Sequence, residues 1–193
     1  MIYSFCRGAL RLIYKLLFRL EAHGLEHIPA EGGVLLCSNH LSNLDPPTIG
    51  ILLQRKVHFM AKKELFDVFG FGWLIKQLGA FPVKRGGVSK ESIKTALTLL
   101  REGHVMGIFP EGTRNKGEDT SIGKRGAATF ALRSDAAVIP VAIIGNYKLF
   151  RKMKVVYGPP VDLSAFKEDK GTDVAEMATE AIMARIAELK SRG

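Results

Sequence analysis

His40 and Asp45 stand five positions apart in Asn39-His40-Leu41-Ser42-Asn43-Leu44-Asp45. That spacing lets a histidine and an orienting carboxylate meet on one tight loop. A neutral imidazole within hydrogen-bond reach of a hydroxyl takes its proton as the oxygen attacks an electrophile. A carboxylate on the other ring nitrogen fixes the tautomer and stabilises the imidazolium that forms. Downstream, Phe109-Pro110-Glu111-Gly112-Thr113-Arg114 ends in a guanidinium that can grip a phosphate through two parallel hydrogen bonds. Gly112 lets the backbone turn, Thr113 adds a hydroxyl and an amide, and Glu111 can orient Arg114 or another cation. Lys84-Arg85-Gly86-Gly87 and Lys124-Arg125-Gly126 are two further basic turns whose glycines allow close approach to an anion. Taken alone, each feature also fits a bland role. Asp45 can cap a helix, His40 can satisfy loop backbone, and a basic pair can be a solvated surface.

The composition narrows the classes. A chain of 193 residues with 47% apolar content suits one domain with a sizeable core, and excludes disorder. A formal net charge of +9 points to anionic partners, among them nucleic acid, anionic membrane and phosphorylated metabolites. The basic residues sit on scattered turns without an interleaved aromatic platform, which argues against nucleic acid. Two cysteines, Cys6 and Cys37, suggest neither a disulfide framework nor a metal site, and His23, His27, His58 and His104 lack ligand spacing. No nucleophile elbow, P-loop or dinucleotide fingerprint occurs, and no conspicuous serine or cysteine nucleophile sits beside the histidine motif. Direct attack by a substrate hydroxyl is therefore expected, without a covalent enzyme intermediate.

The elements that must position these residues read as an α/β domain. Val34–Ser38, Val57–Ala61, Val105–Phe109, Val138–Ile144 and Lys154–Tyr157 are predicted strands. Helices are predicted near Pro47–Leu53, with Asp45 as an acidic cap, and over Ser89–Glu102, Ala127–Leu132 and Thr172–Lys190. Phe66–Leu78 reads as a short apolar helix near the lipid side, and Asn115–Gly123 as a loop. Alternation of strands and helices favours a mostly parallel central sheet flanked by helices, with ligands at the strand carboxyl ends. Residues 1–22 read as a separate amphipathic anchor and 23–193 as the catalytic domain. Within the anchor, Arg7, Arg11, Lys15 and Arg19 form one basic stripe, and apolar residues fill most of the remainder. This pattern predicts a helix lying in the membrane interface, its cations on lipid phosphates, rather than spanning the bilayer. A helix packed on the core with its basic face in water is the competing reading.

Four blocks then resemble the glycerolipid acyltransferases, particularly their bacterial lysophosphatidic acid-acylating members. His40 to Asp45 resembles the family's His-x-x-x-x-Asp motif. Phe81-Pro82-Val83-Lys84-Arg85-Gly86 and Phe109 to Arg114 resemble the second and third motifs, and Val138-Ile139-Pro140-Val141-Ala142 the fourth. The resemblance runs from about Gly24 to Pro160. It implies transfer of an acyl group from coenzyme A or acyl carrier protein to the 2-hydroxyl of lysophosphatidic acid, giving phosphatidic acid. It implies that His40 is the base and Asp45 its partner. Lys84, Arg85, Glu111, Gly112, Thr113, Arg114 and Lys124 would serve the substrate phosphate, with no metal or cofactor. A monotopic enzyme on the cytoplasmic face of a bacterial membrane is the expected setting. Glycerol 3-phosphate or another lysophospholipid as acceptor, or a non-catalytic protein that binds anionic lipid, are the alternatives.

Overall fold

The computed structural model describes residues 2–83, 89–111, 121–168, 171 and 173–192, without the side chains of 121–126. Its helices are α1 (Ile2–Phe18), α2 (Asp45–Gly50), α3 (Phe71–Gln77), α4 (Lys90–Arg101), α5 (Ser121–Arg133), α6 (Ser164–Glu168) and α7 (Val174–Arg192). Its strands are β1 (Glu21–His23), β2 (Val34–Ser38), β3 (Val57–Lys62), β4 (Ala80–Val83), β5 (Val105–Ile108), β6 (Ala137–Ile144) and β7 (Lys154–Tyr157). The seven strands form one sheet in the order β1-β7-β6-β2-β5-β3-β4. Every neighbouring pair is parallel except β6 with β7. The expected mostly parallel α/β architecture is therefore what forms.

β2 lies at the centre between β5 and β6, and all five of its residues are buried. A strand covered on both faces must be apolar throughout, which is why Val34-Leu35-Leu36-Cys37 shows no alternation. Burial pushes the Cys37 thiol up to about 12, so it behaves as a core hydrophobe. Two cores sandwich the sheet. Leu35, Ala96, Leu100, Met106, Phe130, Ile182 and Ile186 tie α4, α5 and α7 to one face. Tyr14, Phe18, Val34, Leu36, Ile49, Val57 and Ile139 tie α1 and α2 to the other. Right-handed crossovers explain this division. β2 to β3 and β3 to β4 step one way along the sheet, which puts α2 on the α1 face and by the same handedness directs α3 there. β4 to β5 and β5 to β6 step back and put α4 and α5 opposite.

Ser89 caps α4 by accepting the Ser92 amide at 3.2 Å, as its sequence predicts. Other expectations change. α2 starts at Asp45, two residues early, and Asp45 makes no side-chain cap. Its oxygens face backward onto the preceding loop instead. α5 begins at Ser121, inside the segment expected to be loop. β1, β4 and α6 are additional elements. β4 contains Pro82 and lies at the sheet edge, where a missing amide donor leaves no ladder bond unmade.

α1 does not present one basic stripe to its surroundings. Arg7 Nη1 is turned inward and donates to the carbonyls of Leu53 (2.9 Å) and Gln54 (2.5 Å). Tyr14 and Phe18 are buried in the core, with Leu10 and Leu17 packed against it. The opposite side leaves Ile2, Phe5, Leu12, Ile13 and Leu16 exposed, with Arg11 and Lys15 between the two apolar faces and Arg19 just past the helix end. Among the described residues, no helix is long and apolar enough to cross a membrane.

Candidate active site

Asn39 begins the site. Its side-chain amide donates to the Ile143 carbonyl (3.1 Å) and its Oδ1 accepts the Ile143 amide (2.8 Å). This doublet fastens the end of β2 to β6, so the chain leaves the sheet at a fixed point. His40 follows, with 14% of its side chain exposed. Its Nδ1 donates to Asp45 Oδ2 across 2.6 Å. The same oxygen accepts the amides of Leu41 (2.5 Å) and Ser42 (2.7 Å). Four residues between histidine and aspartate are what the loop needs to fold its amides onto its own terminal carboxylate.

The other oxygen, Asp45 Oδ1, accepts the Tyr147 hydroxyl at 2.5 Å. Tyr147 comes from the turn after β6, and Thr48 Oγ1 lies 2.8 Å from its hydroxyl. Burial works to raise the Asp45 pKa, but hydrogen bonds from His40, Tyr147, Ser42 and Leu41 outweigh it and hold the carboxyl below its usual range. Tyr147 moves the other way, raised by burial and by its bond to the Asp45 carboxylate, so it remains a neutral donor. An ionised Asp45 accepting at Oδ2 requires the proton on His40 Nδ1. Nε2 then carries the lone pair, which is the tautomer a general base needs.

Phe109 holds the imidazole plane. The His40 and Phe109 rings stack with centroids 4.0 Å apart and planes 14° apart. Phe109 in turn lies parallel to Phe59, 6.4 Å away. Gly107 makes room for this column, because a Cβ there would lie 2.2 Å from Phe59 Cε1. Phe109 was visible in the third motif without an evident task, and its task is to floor the imidazole. Tyr147 was missed. Its sequence signal, a tyrosine just beyond the carboxyl end of a buried strand, is faint because its partner is a hundred positions away.

Of the predicted site residues, His40 and Asp45 are brought together. Glu111 follows β5 in a half-buried turn at the same sheet edge. Lys84, Arg85, Gly112, Thr113 and Arg114 lie outside the described residues, and Lys124 lies on α5 with its side chain outside them. β4, which leads to Lys84, ends at that edge beside a cleft lined by Lys63, Phe81, Val83, Ser89 and Ser92. No group of three or more metal-ligating side chains occurs among the described residues.

The chain has a mostly parallel α/β sheet with a His-x-x-x-x-Asp loop at its carboxyl edge, and residues 19–144 match the family described as acyltransferase. The chain belongs to the acyltransferase family. A 1-acyl-sn-glycerol-3-phosphate acyltransferase from Bacillus subtilis (strain 168) is 37% identical over 197 residues, covering 99% of this chain and 98% of that protein. The enzyme of the same name from Streptococcus pneumoniae is 28% identical over 199 residues, covering 97% and 74%. The crystal structure of the 1-acyl-sn-glycerophosphate acyltransferase PlsC from Thermotoga maritima superposes with a TM-score of 0.69. It is 25% identical, covering 97% of this chain and 78% of that one.

Proposed function

We propose that this chain transfers an acyl group from a thioester to the 2-hydroxyl of 1-acyl-glycerol 3-phosphate at a membrane surface, forming phosphatidic acid. The acceptor is carried from the names of its relatives, including the full-length Bacillus subtilis match. The observation that supports the mechanism is the His40–Asp45 bond, which commits Nδ1 and leaves Nε2 as the base.

The acceptor hydroxyl donates a hydrogen bond to His40 Nε2. As the oxygen attacks the thioester carbon, its proton passes to Nε2 and a tetrahedral oxyanion forms. The oxyanion collapses, the carbon–sulfur bond breaks, and the leaving sulfur takes the proton back from the imidazolium. Asp45 stabilises that imidazolium throughout, and Phe109 keeps the ring from rotating. Lys84, Arg85, Arg114 and Lys124 would hold the acceptor phosphate as fixed cations, with Glu111, Gly112 and Thr113 shaping its pocket. The donor is coenzyme A or acyl carrier protein.

The setting is an anionic bilayer, at its cytoplasmic face. α1 supports this reading, since it leaves Ile2, Phe5, Leu12, Ile13 and Leu16 exposed beside Arg11, Lys15 and Arg19. Apolar side chains entering the acyl boundary and cations at the headgroups are the two attractions of an interfacial helix.

The decisive experiment supplies labelled lysophosphatidic acid, glycerol 3-phosphate or lysophosphatidylglycerol, with acyl-coenzyme A or acyl carrier protein. Wild type should convert lysophosphatidic acid best, and His40→Ala should convert nothing. Turnover surviving His40→Ala would remove the proposed base. Vesicle binding without transfer from any donor would leave a lipid-binding protein.

A further inference from the structure

We infer that α3 and the turn before it form a second contact with an anionic phospholipid surface, on the same side of the molecule as α1. The inference rests on the membrane setting just proposed and says which second element touches the lipid. The segment exposes Leu65, Val68, Phe69, Phe71 and Trp73, with Phe69 fully exposed and Trp73 57% exposed. A soluble surface scatters single apolar residues, whereas five within nine positions make a patch.

Local geometry pushes these side chains outward. The Phe71 amide donates to the Phe69 carbonyl at 2.8 Å and the Gly72 amide to Val68 at 2.9 Å, closing a tight turn before α3. Gly72 permits it, because a Cβ there would lie 2.1 Å from the Phe66 carbonyl oxygen. Backbone bonds close the turn, and the apolar side chains are left at the surface.

The placement selects the occupant. A parallel β3-to-β4 connection with the usual right-handed crossover places α3 on the sheet face that α1 covers, and α1 also turns an apolar stripe outward. Among the described residues of α4, α5 and α7, on the other face, Met177 is the exposed large apolar residue. Lys62, Lys63 and Lys76 are exposed around the α3 patch, against the acids Glu64 and Asp67. α1 adds the exposed Arg11 and Lys15 with no acid in its sequence. A side that combines two apolar patches with a basic excess fits anionic lipid better than a second copy of itself, which would set like charges together.

Trp73 is the sole tryptophan and reports on this contact in the unmodified chain. With vesicles of equal parts phosphatidylcholine and phosphatidylglycerol, its emission should shift to the blue and be quenched by brominated acyl chains. Phe69→Ser should weaken co-sedimentation by about ten-fold. Protein that sediments with vesicles while Trp73 emission stays unchanged would overturn the α3 contact and leave the α1 contact standing. Protein that fails to sediment would remove the membrane setting itself. A blue shift that grows with protein concentration and needs no vesicles would overturn the lipid in favour of a second copy.

Discussion

The His40 loop and the turn before α3 both leave carboxyl ends of parallel strands, β2 and β3, yet they are built in opposite ways. In the first, side chains supply the order. Asn39 bonds both backbone groups of Ile143, and Asp45 gathers two amides, an imidazole and a phenol. In the second, backbone bonds close the turn, and its large side chains point away. Polar side chains turned inward give a loop one geometry, which proton transfer needs. Apolar side chains turned outward leave a surface whose stability depends on something outside the chain.

The sharpest way to break this contrast is Asp45→Asn. An amide can donate where a carboxylate only accepts, so His40 would be held in the wrong tautomer. The turnover number kcat should fall about 10³-fold with little change in KM. A loss under ten-fold in steady-state assays would mean the loop order is not catalytic. Asp45→Ala tests stability. It strands two loop amides and a phenol, and should cost about 3 kcal/mol by urea unfolding. Phe69→Ser should stay within about 0.5 kcal/mol in the same assay without lipid, because its side chain touches solvent.

Tyr147→Phe sharpens the comparison at a single atom. It removes one donor from Asp45 and should lower kcat about ten-fold. It also changes the pH response. A carboxyl held below its usual pKa contributes stability and activity above that usual value, and loses both as pH falls through the lowered one. Without the tyrosine hydroxyl the carboxyl titrates higher, so the acid limb of activity should move up in pH. An unmoved limb would show that Tyr147 only packs there. A smaller effect is expected from Leu16→Ser on the outer face of α1, which is 62% exposed. Thermal unfolding should be unchanged, and vesicle affinity should drop a few-fold.

The dyad was legible because both partners lie in one heptapeptide, and its folding is local. β2, β5, β6 and α4 were legible for a similar reason, since continuous apolar runs and a capped 3.6-residue period need no distant partner to be seen. β1 was not. Glu21-Ala22-His23 has no apolar pattern, and it is a strand because β7 pairs with it. The faces of α1 were half legible. Its basic residues were plain, but that Arg7 turns inward depends on the Leu53 and Gln54 carbonyls, which only the tertiary fold brings within reach. Tyr147 is the same case at the site itself.

Gly107 limits how this enzyme can vary. Most core positions of a strand tolerate exchange among apolar residues, and lose packing when atoms are removed. Here the smallest addition does the damage. One methyl group on β5 meets the Phe59 ring, and Phe59 underlies the Phe109 ring on which His40 rests. A buried residue with no side chain thus sets the height of the imidazole. Variation at this position of the strand is bounded from above by volume.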